Sequence, residues 1–137
     1  METVSWDDVH AFLRKLTERE VGGDYRLPTE AQWEYACRAG TDSPRYHHDI
    51  NAIAWYEANS NAQTQPVGQK LPNAWGLYDM LGNIWEWCHD GKRTYTADAV
   101  IDPMGPTSAG AYRVIRGGSW GVSAQGVRAA FRNGSIR

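Results

Sequence analysis

Cysteine, phenylalanine and net charge are all scarce in this 137-residue chain, and each shortage excludes something. Two cysteines, Cys37 and Cys88, sit outside any CxxC pair, so neither a disulfide framework nor a zinc site is expected. A formal net charge of −2 excludes binding to polyanions by bulk charge, and nucleic acid is not an expected partner. No apolar run approaches the ~20 residues of a membrane span. No charged-then-apolar leader follows Met1, so the expected location is cytoplasmic. Nucleotide and hydrolase signatures are missing too: there is no P-loop, no G-x-G-x-x-G and no G-x-S-x-G. The four histidines form neither H-x3-H nor HExxH. What the chain has in quantity is tryptophan (seven), tyrosine (seven) and glycine (14), the composition of one loop-rich domain stapled by aromatics.

Two helices are predicted near the start. Ser5 with Asp8 resembles a capping box, and Val9, Phe12, Leu13 and Leu16 recur at helical spacing until Gly22-Gly23. Thr29 with Gln32 forms a second cap; Trp33, Ala36 and Cys37 share its inner face, and Gly40 stands at the C-terminal stop. Beyond Gly40 the prolines at 44, 66 and 72 predict structured loops, with one short strand near Val67. Trp85-Glu86-Trp87 and Tyr112 to Arg116 alternate as strands do. Roughly half the chain reads as irregular, above the ~40% usual in globular domains.

Charge is uneven. Between Pro103 and Arg137 there are five arginines (113, 116, 128, 132 and 137) and no acid. They form either a basic face for an anionic partner or pairs with carboxylates of the acid-rich N-terminal half and with loop carbonyls. Asp7-Asp8 suit the first turn of a helix, and His47-His48 read as a solvated loop pair rather than a metal site. Asp79 and Glu86 bracket a Gly-Asn turn from which two carboxylates and main-chain carbonyls could converge on calcium, although a plain hairpin with solvated acids fits the same spacing.

Four segments carry a resemblance: Arg26-Leu-Pro-Thr-Glu-Ala-Gln-Trp-Glu-Tyr-Ala, Pro72-Asn-Ala-Trp-Gly-Leu-Tyr-Asp-Met-Leu-Gly-Asn-Ile-Trp-Glu-Trp87, Arg113-Val-Ile-Arg-Gly-Gly-Ser-Trp120 and Arg128-Ala-Ala-Phe-Arg132. In this order they are similar to the formylglycine-generating enzyme (sulfatase-modifying factor) family, across nearly the whole chain. The resemblance implies an α+β domain of C-type lectin-like fold over residues 1–137, with two helices, small twisted antiparallel sheets and long irregular loops. It implies structural calcium held by the Asp79 side chain, the Gly82 and Ile84 carbonyls and the Glu86 side chain. A second family calcium site, in the loop before Pro72, is not carried over because Asn59 to Gly68 is short. Members that make formylglycine use a copper-bound cysteine pair after the Gly-Gly-Ser turn. Val122 and Val127 stand at those positions here, and valine cannot ligate copper, so neither copper nor formylglycine synthesis is expected and no catalytic residue is assigned. The family's first and last strands are not apparent, which would leave open edges for self-association.

One branch of the family, the variable proteins of diversity-generating retroelements, resembles the chain more closely. There, residues from the Arg-Gly-Gly-Ser-Trp segment onward are rewritten on a binding face. Asparagine codons mutated to NNC encode Ile, Gly, Val, Ser and Phe but not Trp, Gln, Lys, Glu or Met. Ile115, Gly121, Val122, Ser123, Gly126, Val127, Phe131, Gly134, Ser135 and Ile136 all fall in the permitted set, among the frame residues Arg116 to Trp120, Arg128 and Arg132. The implied ligand face comprises Ile115, Trp120, Gly121, Val122, Ser123, Gly126, Val127, Phe131, Asn133, Gly134 and Ser135, meeting a macromolecular or small ligand. The alternative is a family domain that supports an oxidoreductase reaction, as a substrate-binding part or a divergent oxidase.

Overall fold

A computed structural model of the chain describes residues 4–108 and 112–136. The elements run α1 (Trp6–Arg19), α2 (Glu30–Arg38), α3 (Ile50–Ile53), β1 (Glu86–Gly91), β2 (Arg113–Arg116) and β3 (Asn133–Ser135). Both expected helices start with reciprocal caps. Ser5 Oγ accepts from Asp8 N while Asp8 Oδ2 accepts from Ser5 N, and Thr29 and Gln32 repeat the arrangement. α1 ends at Arg19, before Gly22-Gly23. α2 ends on Ala39 in the left-handed region at φ 45°, one residue before the expected glycine, and Gly40 continues the turn at φ 90°.

The strands form one antiparallel sheet in the order β1-β2-β3, with Glu86 opposite Arg116 and Val114 opposite Gly134. The register shifts between Trp87 and Gly91, and the far side of β1 is met by Pro28, whose carbonyl accepts from His89 N at 2.8 Å. The segment around Val67, expected as a strand, is a turn, and Val67 itself is exposed. β3 and the four-residue α3 carry no clear sequence signal, being too short for a period to show.

The core gathers Trp33 and Cys37 of α2, Ile53 of α3, Ala54 and Tyr56, Met80 and Leu81, Cys88 of β1, Val114 of β2, and Val127 and Ala129. α1 contributes no buried residue, and Phe12, expected on its inner face, is 61% exposed. The helix is held instead by indole donors: Trp6 Nε1 to Cys88 O and Trp87 Nε1 to Val4 O, both 3.0 Å.

Buried polar side chains do in the loops what strand ladders do elsewhere. Asn83 grips Gln65 from both sides, its Oδ1 accepting from Gln65 N and its Nδ2 donating to Gln65 O, each at 3.0 Å. Asn73 Nδ2 closes the end of α2 on Ala36 O at 2.7 Å while its Oδ1 accepts from Trp75 N and Leu77 N. Fully buried Asp90 accepts from Glu30 N at the start of α2 and from Gly105 N. Gly82, at φ 80°, lies so close to Trp55 that any Cβ there would overlap the Trp55 carbonyl.

Candidate functional site

The arginine-rich stretch resolves into a buried cage rather than a basic face. Arg116 is fully buried; it donates to the carbonyls of Phe131 (3.0 Å) and Ala129 (2.8 Å) and pairs with Glu34 and, at 3.5 Å, with Glu30. Arg132 meets the buried Glu30 carboxylate through two bonds, Nε to Oε1 at 2.5 Å and Nη2 to Oε2 at 2.6 Å. Arg113 is 2% exposed and donates to the carbonyls of His89 and Thr107, and Arg128 Nε donates to Gln125 O. Arg137 lies outside the described residues. Arg113, Arg116 and Arg132 are therefore spent on α2 carboxylates and loop carbonyls within the fold, while Arg128 stays exposed.

That cage ties down the segment after the Gly-Gly-Ser turn, and the main chain of the segment is held at almost every step. Trp120 N donates to Asn83 O, Ser60 Oγ to Trp120 O, Glu57 N to Val122 O and Ala129 N to Pro44 O. Arg45 reaches across to donate to Val127 O at 2.8 Å and to Ala124 O. These bonds use backbone carbonyls and amides, so they do not depend on which side chain each exposed position carries.

The expected ligand face splits under this geometry. Gly121, Ser123 and Asn133 are exposed; Trp120, Val122, Phe131, Gly134 and Ser135 are half-buried. Ile115, Gly126 and Val127 are buried. Val127 is fully buried in the core, Ile115 lies inside the sheet at 9% exposure, and a Cβ at Gly126 would overlap the Val122 side chain. Gly121 is the opposite case, since a Cβ there meets nothing within 4 Å. Three exposed positions in the same loop lie outside the expected set: Gln125, which the codon set excludes, and Arg128 and Ala130, which belong to the Arg128 to Arg132 family segment. Ile84 (41% exposed) is presented nearby in the chain's Gly-Asn segment, and Trp85 packs against Phe131 at 6.1 Å between ring centroids. Trp85 thus joins the loop to the end of that segment, a contact that spacing could not reveal.

The Asp79–Glu86 segment bends through left-handed residues at Asp79 (φ 54°), Gly82 (φ 80°) and Asn83 (φ 59°). Asp79 Oδ2 accepts from Gly68 N at 2.7 Å, and Glu86 Oε2 accepts from Trp33 Nε1 at 2.6 Å. The Glu86 carboxyl is pushed up to about 7, by burial first and then by the Asp79 charge, against the Trp33 hydrogen bond that lowers it. No cation-bearing side chain is paired with either acid among the described ion pairs. Among the described residues no three His, Cys, Asp or Glu side chains converge, so any ion here would rest on two carboxylates and main-chain oxygens. The His47 and His48 rings stack at 4.3 Å on the surface. Burial raises both thiols, Cys37 to about 12 and Cys88 beyond that, which makes them inert packing groups. No helix among the described residues is long and apolar enough to cross a membrane.

With a small antiparallel sheet, two capped helices and a long clamped loop in place, comparison with known proteins defines the class. Residues 1–136 match the Sulfatase-modifying factor enzyme 1-like domain, and the chain belongs to that family. It is 37% identical over 135 residues to the formylglycine-generating enzyme of Streptomyces coelicolor, covering 85% of this chain and 40% of that protein. Among solved structures it is similar to Treponema denticola variable protein 1 (41% identity, TM-score 0.74, 81% of this chain and 42% of the other). It is also similar to PvdO from Pseudomonas aeruginosa (31% identity, TM-score 0.85, 97% and 54%). The chain thus spans about two fifths to one half of the length of these relatives.

Proposed function

We propose that the chain is a ligand-binding display domain of its family, whose exposed loop positions after the Gly-Gly-Ser turn contact the ligand and tolerate replacement. The observation that carries this reading is the separation of frame from surface within one short segment. Backbone carbonyls held by Arg45, Arg116 and neighbouring amides set the loop's shape, while Gly121, Ser123, Gln125, Arg128 and Ala130 point into solvent. Such a loop changes its surface chemistry without changing its path, which is what a replaceable paratope requires. Similarity to a protein called a variable protein supports it. The ligand face is Trp120 to Ser123, Gln125, Arg128, Ala130 and Phe131, with Ile84 and Trp85 beside it.

Sequencing the gene across a population of its source tests this. Variation is expected at 121, 123, 125 and 130 and absent at 116, 126, 127, 129 and 132. Uniform sequences, or equal scatter over both sets, would overturn the reading.

A structural calcium ion at Asp79 and Glu86, with the Gly82 and Ile84 carbonyls, is part of the same proposal. Its support is the chemistry of the donor set: two acids of like charge, one of them raised first by its burial and then by the charge of the other, on a segment bent by positive-φ residues. Calcium should raise the melting temperature and chelator should lower it, with the response lost in Asp79→Asn/Glu86→Gln. An identical response in the variant would remove the site.

A further inference from the structure

The first half of the Pro72–Trp87 family segment takes no part in the clamped loop, yet it puts large apolar side chains into solvent. Trp75 and Tyr78 are each 50% exposed, Leu71 and Leu77 stand exposed beside them in the chain, and Tyr35 of α2 is 69% exposed. Trp75 and Tyr35 meet edge to face, their ring centroids 5.0 Å apart and their planes at 71°. Exposed apolar groups gathered in this way mark interaction sites rather than ordinary surface.

The turn that carries Trp75 is fixed before any partner arrives. Asn73, 5% exposed, donates through Nδ2 to Ala36 O at 2.7 Å and Cys37 O at 3.3 Å, while its Oδ1 accepts from Trp75 N and Leu77 N. Asn73 N donates to Leu77 O and Gly76 N to Asn73 O, which closes the turn, and Gly76 takes φ 77°. The notch between Trp75 and Tyr35 is thus built by one helix and one bonded turn, and little of it has to be ordered on binding.

Its hydrogen-bonding chemistry is one-sided. Residues 71–78 contain no charged side chain, and the flanking Lys70 and Asp79 are engaged with Asn51 O and Gly68 N. On α2, Glu34 and Arg38 pair with each other at 2.8 Å, and Glu34 also holds Arg116. The single side-chain amide of the segment, Asn73, is spent on the turn. What remains is the Trp75 Nε1 donor and the hydroxyls of Tyr35 and Tyr78, none of them bonded to another described residue. A sugar, rich in hydroxyl donors, would find no free carboxylate or amide here to accept them. A proline-rich segment brings ring faces and carbonyl acceptors and almost no N–H to leave unpaired.

We infer that the Trp75–Tyr35 notch binds a proline-rich segment of a partner protein in the polyproline II conformation. One proline ring lies in the corner between the two aromatic rings, and a neighbouring carbonyl accepts from Trp75 Nε1. Uncharged, aromatic-lined surfaces suit such segments because their extended backbone is set in advance and loses little entropy on docking.

The test applies a blocked decaproline peptide and a blocked Gly-Ser decapeptide to the full chain and reads the indole N–H resonances by proton–nitrogen NMR, with Trp75→Phe assigning the Trp75 signal. Decaproline is expected to move that resonance saturably, and the Gly-Ser peptide to leave it in place. Tyr35→Ala, at an exposed position, is expected to weaken decaproline about tenfold while the other indole resonances stay where they are. Tyr35→Phe, which keeps the ring and loses only the hydroxyl, is expected to weaken it about threefold at most. The inference is overturned if decaproline leaves the Trp75 resonance unmoved, if the Gly-Ser peptide moves it equally, or if Tyr35→Ala binds decaproline as the parent does. It is also overturned if cellohexaose, or dilution of the chain alone, moves the resonance in decaproline's place, which would assign the notch to a glycan or to a second copy of the chain.

Discussion

α1 and α2 begin with the same reciprocal cap, Ser5 with Asp8 and Thr29 with Gln32, and both show apolar residues at helical spacing. Their places in the molecule differ completely. α2 buries Glu30, Trp33 and Cys37 and supplies the carboxylates that hold Arg116 and Arg132; α1 has no fully buried residue and is tied on chiefly through Trp6, which donates to Cys88 O and lies under Arg113, and through the Trp87 bond to Val4 O just before it. A local signal for helix is thus no measure of what the helix does for the fold. Caps and spacing report on backbone conformation, whereas the weight an element bears depends on which distant partners reach it.

The contrast is open to attack in order of size. Glu30→Ala leaves Arg116 and Arg132 buried without their shared carboxylate, and a loss of about 3–5 kcal/mol is expected in urea unfolding. A loss below 1 kcal/mol would mean the cage is not what holds α2. Removing the two caps should separate the helices more gently. Thr29→Ala is expected to cost about 1 kcal/mol of global stability. Ser5→Ala should instead show as faster amide exchange confined to α1, because a helix with no buried residue opens without the rest of the domain.

The pH dependence sharpens the same comparison. His10 on α1 is held below its ordinary 6.5 by burial first and then by His89, Arg113 and Arg14. With the folded value depressed, the unfolded chain takes up the proton first, so stability falls as pH is lowered through and below 6.5. Unfolding curves between about pH 7.5 and 5.5 should show this slope, and His10→Gln should flatten it. Smallest of all, Phe12→Ser on α1 and Gly121→Ser on the clamped loop are each expected within about 0.5 kcal/mol of the parent. A larger loss at Gly121 would contradict a loop whose shape is independent of its surface side chains.

Within residues 115–136 the same lesson recurs at single positions. Codon arithmetic and the family frame marked Val127 and Gly121 alike as replaceable, yet one is fully buried and the other faces open space. Both are small or apolar residues in a loop without periodicity, so nothing local distinguishes them. The five arginines posed the same difficulty: a run of positive charge reads as a surface until the partners are known, and Glu30 and Glu34 lie more than eighty residues away from Arg116 in sequence. Gln125 and Ala130 carry no local sign of their exposure: glutamine lies outside the NNC set, and Ala130 sits within the Arg128 to Arg132 family segment.

The sequence by itself determined what rests on short-range chemistry. The two capped helices, the strands at Glu86 and Arg113, the turn-rich middle and the family frame are all specified by residues a few positions apart or by segments in a fixed order. Tertiary structure alone decided which carboxylate each arginine meets, which loop residues face the solvent and how lightly α1 is attached. Burial and ion pairing are properties of space. They are settled only when the whole chain has packed and every buried polar group has found or failed to find its partner.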